Sequence, residues 1–235
     1  MTSSAILIPA RYNSKRFPGK PLTKLGDRHM IQEVYVKCKA SGLDTYVLTD
    51  NPMIMELFAD NAVLIDNKTN YENGTHRCTG VLNDSRFDKY KKFINVQGDM
   101  PDVTTDMIEK CNWHLQSYNV TTMFTELPKD KQQDPNTVKM IRAGDRALWF
   151  GRGMTGYGDW HLGIYGYRRN ALEMYSSLDT PLEESVEKLE QLRWLKAGWD
   201  IGCLKTVFDG IEINTPEDAR IWNDRWKNLG NHTTN

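Results

Sequence analysis

No apolar run in this 235-residue chain approaches the ~18 residues that a membrane-spanning helix needs, so the sequence predicts no membrane span and no membrane partner. The N-terminus, MTSSAILIPAR, lacks a cationic stretch ahead of its apolar run, and that run is too short for a secretory leader; a cytoplasmic protein is expected. No charge of one sign prevails either. Thirty Lys plus Arg stand against thirty-one Asp plus Glu, for a net charge of -1, which speaks against a nucleic-acid partner. Cysteine is scarce and scattered: Cys38, Cys78, Cys111 and Cys203 form no CxxC, whereas zinc sites usually show close ligand pairs. Four isolated reduced thiols are the expectation. Internal repeats and low-complexity linkers are absent as well.

What is present is a rhythm. Continuous apolar runs (AILIPA, TYVLT, AVLI, KFINVQGD) alternate with amphipathic stretches (HMIQEVYVKCKASG, NPMIMELFADN, GTHRCTGVLND, TTDMIEKCNWHLQS). This predicts β-α-β-α order and a mostly parallel sheet with helices on both faces, a Rossmann-like α/β fold. From about Val120 the pattern changes to VTTMFTEL, NTVKMIRA, ALWF and HLGIYGYR, mostly strands, which reads as a mixed-sheet extension. One domain is expected over 1–235, with one half over 1–119 and a second over 120–225. DTPLEESVEKLEQLRWLKAG reads as the clearest helix. Thr180 is its expected N-cap, Pro181 its first position and Glu183 the partner in a capping box, with Leu182, Val186, Leu189, Leu192 and Leu195 as an apolar stripe facing the core or a dimer partner. A last helix starts at NTPEDARIWNDRW, and the tail GNHTTN is expected to fray.

Two stretches concentrate chemistry. Directly after the first strand, Arg11, Lys15, Arg16 and Lys20 share a loop with Pro18, Gly19 and Pro21. Open α/β sheets bind ligands at that edge, a Gly-containing loop admits close backbone approach, and Arg forks match phosphate geometry. The spacing is not a P-loop, which requires GxxxxGK followed by Ser or Thr. It still brings Arg11, Arg16 and Lys20 within reach of one polyanion; the competing reading is a solvated cationic loop. The second stretch, INVQGDMP, ends a strand with Asp99. A carboxylate facing a phosphate loop from a neighbouring strand suits a Mg²⁺ ligand, the alternative being a cap for the helix at Thr104.

In order along the chain, IPARYNSKRFPGKPL, INVQGDMP, DPNTVKM, HLGIYGYR, LEQLR and NTPEDA resemble the motifs of the 3-deoxy-manno-octulosonate cytidylyltransferases, the CMP-Kdo synthetases, over roughly residues 5 to 225. The resemblance implies a nucleotidyltransferase-type fold, a homodimer, and Mg²⁺-dependent transfer of CMP from CTP to a 2-keto sugar acid with release of pyrophosphate. It places Pro9, Ala10, Arg11, Ser14, Arg16, Lys20, Arg77 and Gln97 around the nucleotide. Arg16, Lys20 and Asp99 become the catalytic set, with Lys20 on the departing pyrophosphate. Gln97, Lys139, Arg152, His161, Tyr165, Glu187 and Glu190 fall to the sugar acid, with Glu187 and Glu190, three apart, on similar sides of their helix. Asp99 and the position of Asn214 fall to the metal.

The motifs also depart from the family. NGTHR stands where SGTER is usual, so His76 replaces a Glu; Met100 replaces the Glu of QGDEP; Asn214 replaces the Asp of DTPED; and GMTGYGDW between Arg152 and His161 is short, which predicts a more open acceptor pocket. Three alternatives follow: a catalytically weakened nucleotide-binding homologue, for which Asn214 argues; a cytidylyltransferase for another acid, such as 8-amino-Kdo or a sialic acid; and a nucleotide-sugar pyrophosphorylase, against which the absence of a GGxGTRL-like loop argues.

Overall fold

The computed structural model describes residues 3–12, 17–65 and 71–231. Strand β1 (Ser4–Ala10) lies parallel to β4 (Asp44–Thr49) on one side and to β6 (Lys92–Val96) on the other, and β4 pairs in parallel with β5 (Ala62–Leu64). Alternate residues of β1 enter two separate cores. Ala5 and Leu7 face one, and Ile6, Ile8 and Ala10 the other. This is the two-residue period of a strand covered on both faces. Helices α1 (Met30–Lys39), α2 (Pro52–Glu56) and α4 (Thr105–His114) supply Ile31, Val34, Ile54, Met107 and Ile108 to the second core; α3 (Gly74–Thr79) and α5 (Arg169–Tyr175) supply Cys78, Leu172 and Tyr175 to the first. Local signals set the helix starts: Asn51 accepts from the N–H groups of Met53 and Ile54 ahead of Pro52, and Thr104 accepts from Met107 N–H. All four cysteines are buried free thiols. A two-stranded hairpin, β2 (Lys24–Leu25) and β3 (Arg28–His29), precedes α1 and had no counterpart in the sequence reading.

Beyond β6 the sheet is mixed, and the expected extension is continuous with the parallel part. The order is β5-β4-β1-β6-β10-β7-β11-β9-β8, with β7 (Val120–Thr125), β8 (Lys139–Ala143), β9 (Arg146–Gly151), β10 (Asp159–Arg168) and β11 (Ile201–Lys205). The long strand β10 runs antiparallel between β6 and β7, so a strand from late in the chain lies against the end of β6. Its register against β7 slips between Leu162 and Tyr165, a bulge of the kind that re-aims side chains beside a site. Gly166 permits the close packing of β7 and α4 here: a Cβ would collide with Thr121 Oγ1 and stand 3.2 Å from Cys111 Sγ.

The expected long helix at Pro181 does not form as one element. It divides into α6 (Leu182–Glu187) and α7 (Leu192–Lys196), with Lys188 between them in the left-handed region at φ 57°. Pro181 itself is the N-cap position, with no side-chain cap bond, so the Thr180–Glu183 capping box is absent. Leu182 and Val186 point to solvent, whereas Leu189 and Leu192 are buried. The break has a physical cause. It turns Glu190 and Gln191 inward to buried polar partners, which a continuous surface helix keeps apart. The closing helix α8 (Pro216–Asn231) starts as expected, with Thr215 Oγ1 accepting from Asp218 N–H while Asp218 accepts from the N–H groups of Asn214 and Thr215. Among the described residues no helix is long and apolar enough to cross a membrane.

Candidate active site

The carboxyl end of β6, the bulged part of β10, the 212–214 stretch and the 188–191 turn line a cavity of about 510 Å³. Gln97, Asp99, Arg152, His161, Tyr165 and Glu190 all line it, joining residues spread over nearly one hundred positions.

The cationic loop meets the strand end directly. Lys20 Nζ donates to Asp99 Oδ2 at 2.7 Å, so the two groups assigned to pyrophosphate and metal neutralise each other in the ligand-free protein. Gly19 precedes Lys20 at φ 69°, a left-handed turn that suits glycine. Pro9 and Ala10 close β1 beside Gly98, where a Cβ would lie 3.0 Å from the Pro9 carbonyl oxygen. Arg11 is exposed, whereas Ser14 and Arg16 lie outside the described residues. Arg77 is buried and pairs with Asp50 at 3.7 Å; burial, then the charge of Arg11, lowers its basicity, and it does not line the cavity.

One wall of the cavity is organised by the LEQLR turn. Glu190 accepts from Thr75 N–H at 2.9 Å and from Gln97 Nε2 at 3.1 Å, so the turn ties α3 to the end of β6. Burial pushes the Glu190 carboxyl up from its ordinary range. Gln191 accepts from the Tyr165 hydroxyl at 3.1 Å. Arg193, also buried, forks onto Glu184 through Nε and Nη2, both at 2.7 Å, and reaches Glu72 at 2.6 Å. Glu72, Glu184 and Arg193 were not singled out from sequence, though Arg193 closes the LEQLR motif.

Two expected acceptor residues have other tasks. Glu187 ends α6 and accepts from the backbone N–H of Arg152 at 2.7 Å; with Lys188 left-handed after it, it does not share a side with Glu190, and it does not line the cavity. Lys139 is fully buried and donates to the carbonyls of Asp134 at 2.6 Å and Arg152 at 3.4 Å, behind the cavity wall. A lysine at the start of a strand reads as cleft-facing from sequence; here the folded 134–136 loop offers it carbonyls that water supplies elsewhere.

Arg152 does line the cavity. Its Nε donates to the Glu187 carbonyl at 3.1 Å and Nη1 to the Asn136 carbonyl at 2.8 Å, which fixes the guanidinium plane and leaves Nη2 for a ligand. His161 Nε2 lies 2.9 Å from Thr122 Oγ1, and that hydroxyl gives its one hydrogen to the Ile164 carbonyl. The proton therefore sits on Nε2, and Nδ1 is an acceptor. Burial, aided by the Arg152 charge, holds the ring neutral down to about 3.

Asn214 lines the cavity with Asp99, as the last motif requires. Sequence reasoning missed Glu212, two residues earlier on the same cavity wall. That residue is partly exposed where it meets the cavity; burial, then the charge of Asp99, push its carboxyl up to about 7. The signal was the spacing alone, a carboxylate at i−2 of the departed family position. The donors here are hard oxygens: the Asp99 and Glu212 carboxylates and the Asn214 amide. Among the described residues no group of three or more His, Cys, Asp or Glu forms a metal cage. This donor set fits Mg²⁺, which takes one or two carboxylates and fills its shell with phosphate oxygens and water.

The family model described as cytidylyltransferase matches residues 5–201. A relative from Shewanella halifaxensis, named 8-amino-3,8-dideoxy-manno-octulosonate cytidylyltransferase, is 37% identical over 92% of this chain and 95% of its own. One of the same name from Shewanella woodyi is 36% identical over the same shares. Among solved structures, CMP:2-keto-3-deoxy-manno-octonic acid synthetase complexed with CTP superposes with a TM-score of 0.86 at 30% identity, covering 96% of this chain and 99% of that one. An inositol-1-phosphate CTP transferase from T. maritima, at 12% identity and TM-score 0.68 over 94% of each chain, shares the fold.

Proposed function

The chain belongs to the cytidylyltransferase family, and on that premise we propose that it transfers CMP from CTP to a 2-keto sugar acid of the Kdo type, with release of pyrophosphate. The observation that carries this reading is the Lys20–Asp99 contact at 2.7 Å on the rim of a cavity that Gln97, Arg152 and His161 also line. A cation for phosphate, a carboxylate for metal and an arginine for an acid thus face one space. In the reaction the anomeric hydroxyl of the acceptor attacks the α-phosphorus, the new O–P bond forms as the hydroxyl proton passes to water, and the bond to pyrophosphate breaks. Such a transfer needs positioning and charge compensation more than covalent help. Lys20, with Arg16, neutralises the departing pyrophosphate. Arg152 holds the acceptor carboxylate through Nη2, and Gln97, fixed by Glu190, orients the acceptor beside the nucleotide. Neutral His161 offers Nδ1 to an acceptor hydroxyl. Asp99 would hold Mg²⁺, which when bound would compensate phosphate charge and lower the pKa of the attacking hydroxyl.

Among 2-keto acids, the names of the 36–37% identical relatives favour the 8-amino acceptor over Kdo itself. The enzyme acts as a homodimer in the cytoplasm. Support for the dimer comes from α6, where Leu182 and Val186 are 76% and 69% exposed. Pyrophosphate release measured with CTP against 8-amino-Kdo, Kdo and a sialic acid tests the reading. We expect turnover with the two eight-carbon acids and little with the nine-carbon one. No release with any of them overturns it in favour of a binding-only homologue.

A further inference from the structure

We propose that Glu212 is the second metal carboxylate of this site, taking the place of the charge that Asn214 lacks. The inference rests on the cytidylyltransferase reading above. The GIEIN stretch runs alongside Asp99: the Ile213 N–H donates to the Asp99 carbonyl at 2.9 Å, and the Ile211 N–H to Asp102 Oδ2 at 2.9 Å. Ile213 is fully buried among Leu25, Met30, Ala219 and Trp222. Its two neighbours therefore share the opposite side, and both Glu212 and Asn214 line the cavity with Asp99. A carboxylate two residues earlier thus reaches the same space with the strand direction unchanged, the two-residue period of an extended chain doing the relocation. Asn214 lines the same wall, its backbone N–H held by Asp218, and offers an uncharged amide where Glu212 offers a carboxylate.

Charge supports the same assignment. Asp99 has Lys20, and Glu184 and Glu72 share Arg193, but Glu212 makes no ion pair among the described residues; the backbone N–H of Gly163 and, at longer range, the charges of Lys131 and Lys20 are what favour its carboxylate. Two carboxylates facing one cavity, one of them outside any direct ion pair, repel each other, and a cation between them turns that repulsion into attraction. Gly163 lets Gln97 and Met100 pack closely against β10, since a Cβ there would meet Gln97 Cγ at 3.2 Å and Met100 Sδ at 3.4 Å. With nucleotide phosphates supplying further oxygens, two carboxylates suffice for Mg²⁺.

The test is Mn²⁺ binding in the presence of CTP and without acceptor, read from the electron paramagnetic resonance of free Mn²⁺. Glu212→Gln is expected to weaken Mn²⁺ by tenfold or more, and Asn214→Ala by less than about threefold. Glu212→Gln combined with Asn214→Asp, which moves the carboxylate two residues along, is expected to recover affinity to within about threefold of the wild type. Metal-free CTP binding, unchanged across the series, keeps this outcome separate from a failure of the cytidylyltransferase reading. A measurement on the unaltered protein stands beside the variants. With Fe²⁺ in place of Mg²⁺, CTP, ascorbate and peroxide, the backbone is cut next to Asp99 and Glu212 and spared at Asn214. Wild-type Mn²⁺ affinity in Glu212→Gln, an equal loss in Asn214→Ala, or cutting at Asn214 alone overturns the proposal. So does a Glu212→Gln variant that keeps its metal affinity and loses only the 8-amino acceptor, which assigns Glu212 to the ammonium group.

Discussion

Replacing Lys20 by Met should move two properties of the enzyme in opposite directions. Lys20 Nζ and Asp99 Oδ2 are 2.7 Å apart, with side chains 15% and 29% exposed. At that distance and an effective dielectric of ~20, the bare Coulomb attraction is about 6 kcal/mol. Water screening and the ordering of a long side chain bring fully exposed pairs down to ~0.2–1 kcal/mol, and this half-sheltered pair keeps about 1–2 kcal/mol. A metal that binds Asp99 without nucleotide must first displace Lys20. Lys20→Met removes that competition, so nucleotide-free Mn²⁺ affinity should rise about 5- to 30-fold, at ~1.4 kcal/mol per decade. Turnover should fall at the same time. Losing a charged contact that strengthens as pyrophosphate departs costs on the order of 2.7–4 kcal/mol, at least ~100-fold in kcat. Titration calorimetry with Mn²⁺ alone and continuous pyrophosphate detection with CTP and acceptor read the two effects separately. Near-wild-type turnover, or a metal affinity that falls along with turnover, refutes the reasoning. The first result would remove Lys20 from the pyrophosphate; the second would mean the lysine builds the metal site rather than blocks it.

Arg152→Ala should raise the acceptor KM by ~10- to 100-fold, the worth of a charge-assisted bond, and leave the CTP KM within about threefold. Lys139→Met, which unties only backbone carbonyls, should lower the melting temperature and change the acceptor KM far less; the reverse order would return Lys139 to the acceptor. His161 sets a pH dependence of stability. Its folded pKa, near 3, lies below the ordinary 6.5, so the unfolded chain binds the extra proton between those values. The stabilisation is complete above about pH 6.5 and is lost as pH falls toward 3, up to about 4–5 kcal/mol over the whole range. Urea unfolding between pH 7 and 4 should show a steeper loss for wild type than for His161→Gln, and parallel curves would contradict the burial argument. Leu182→Glu with Val186→Glu should shift sedimentation equilibrium toward monomer with secondary structure unchanged; an unaltered dimer would move the interface elsewhere.

The α/β class and the order of strands and helices were legible because they rest on local periods: two residues for β1, whose alternate side chains enter two cores, and the turn spacing of α1 and α4. The starts of the helices after Asn51, Thr104 and Thr215 were legible for the same reason. The motifs likewise located Asp99, Gln97, Arg152 and His161, since strand ends and sheet edges follow from that order. Tertiary structure decided the rest. The 181–197 segment has the pattern of one helix. It breaks because Thr75 N–H, Gln97 and Tyr165, over twenty to one hundred residues away, offer Glu190 and Gln191 buried partners worth more than the local helix bonds they replace. Lys139 and Glu187 turned from the cavity for the same kind of reason, drawn to backbone groups that only the assembled loops present. Asn214 read in isolation as a lost charge. That the carboxylate beside it faces Asp99 depended on the pairing of Ile213 with Asp99 across more than one hundred residues, which no local pattern encodes.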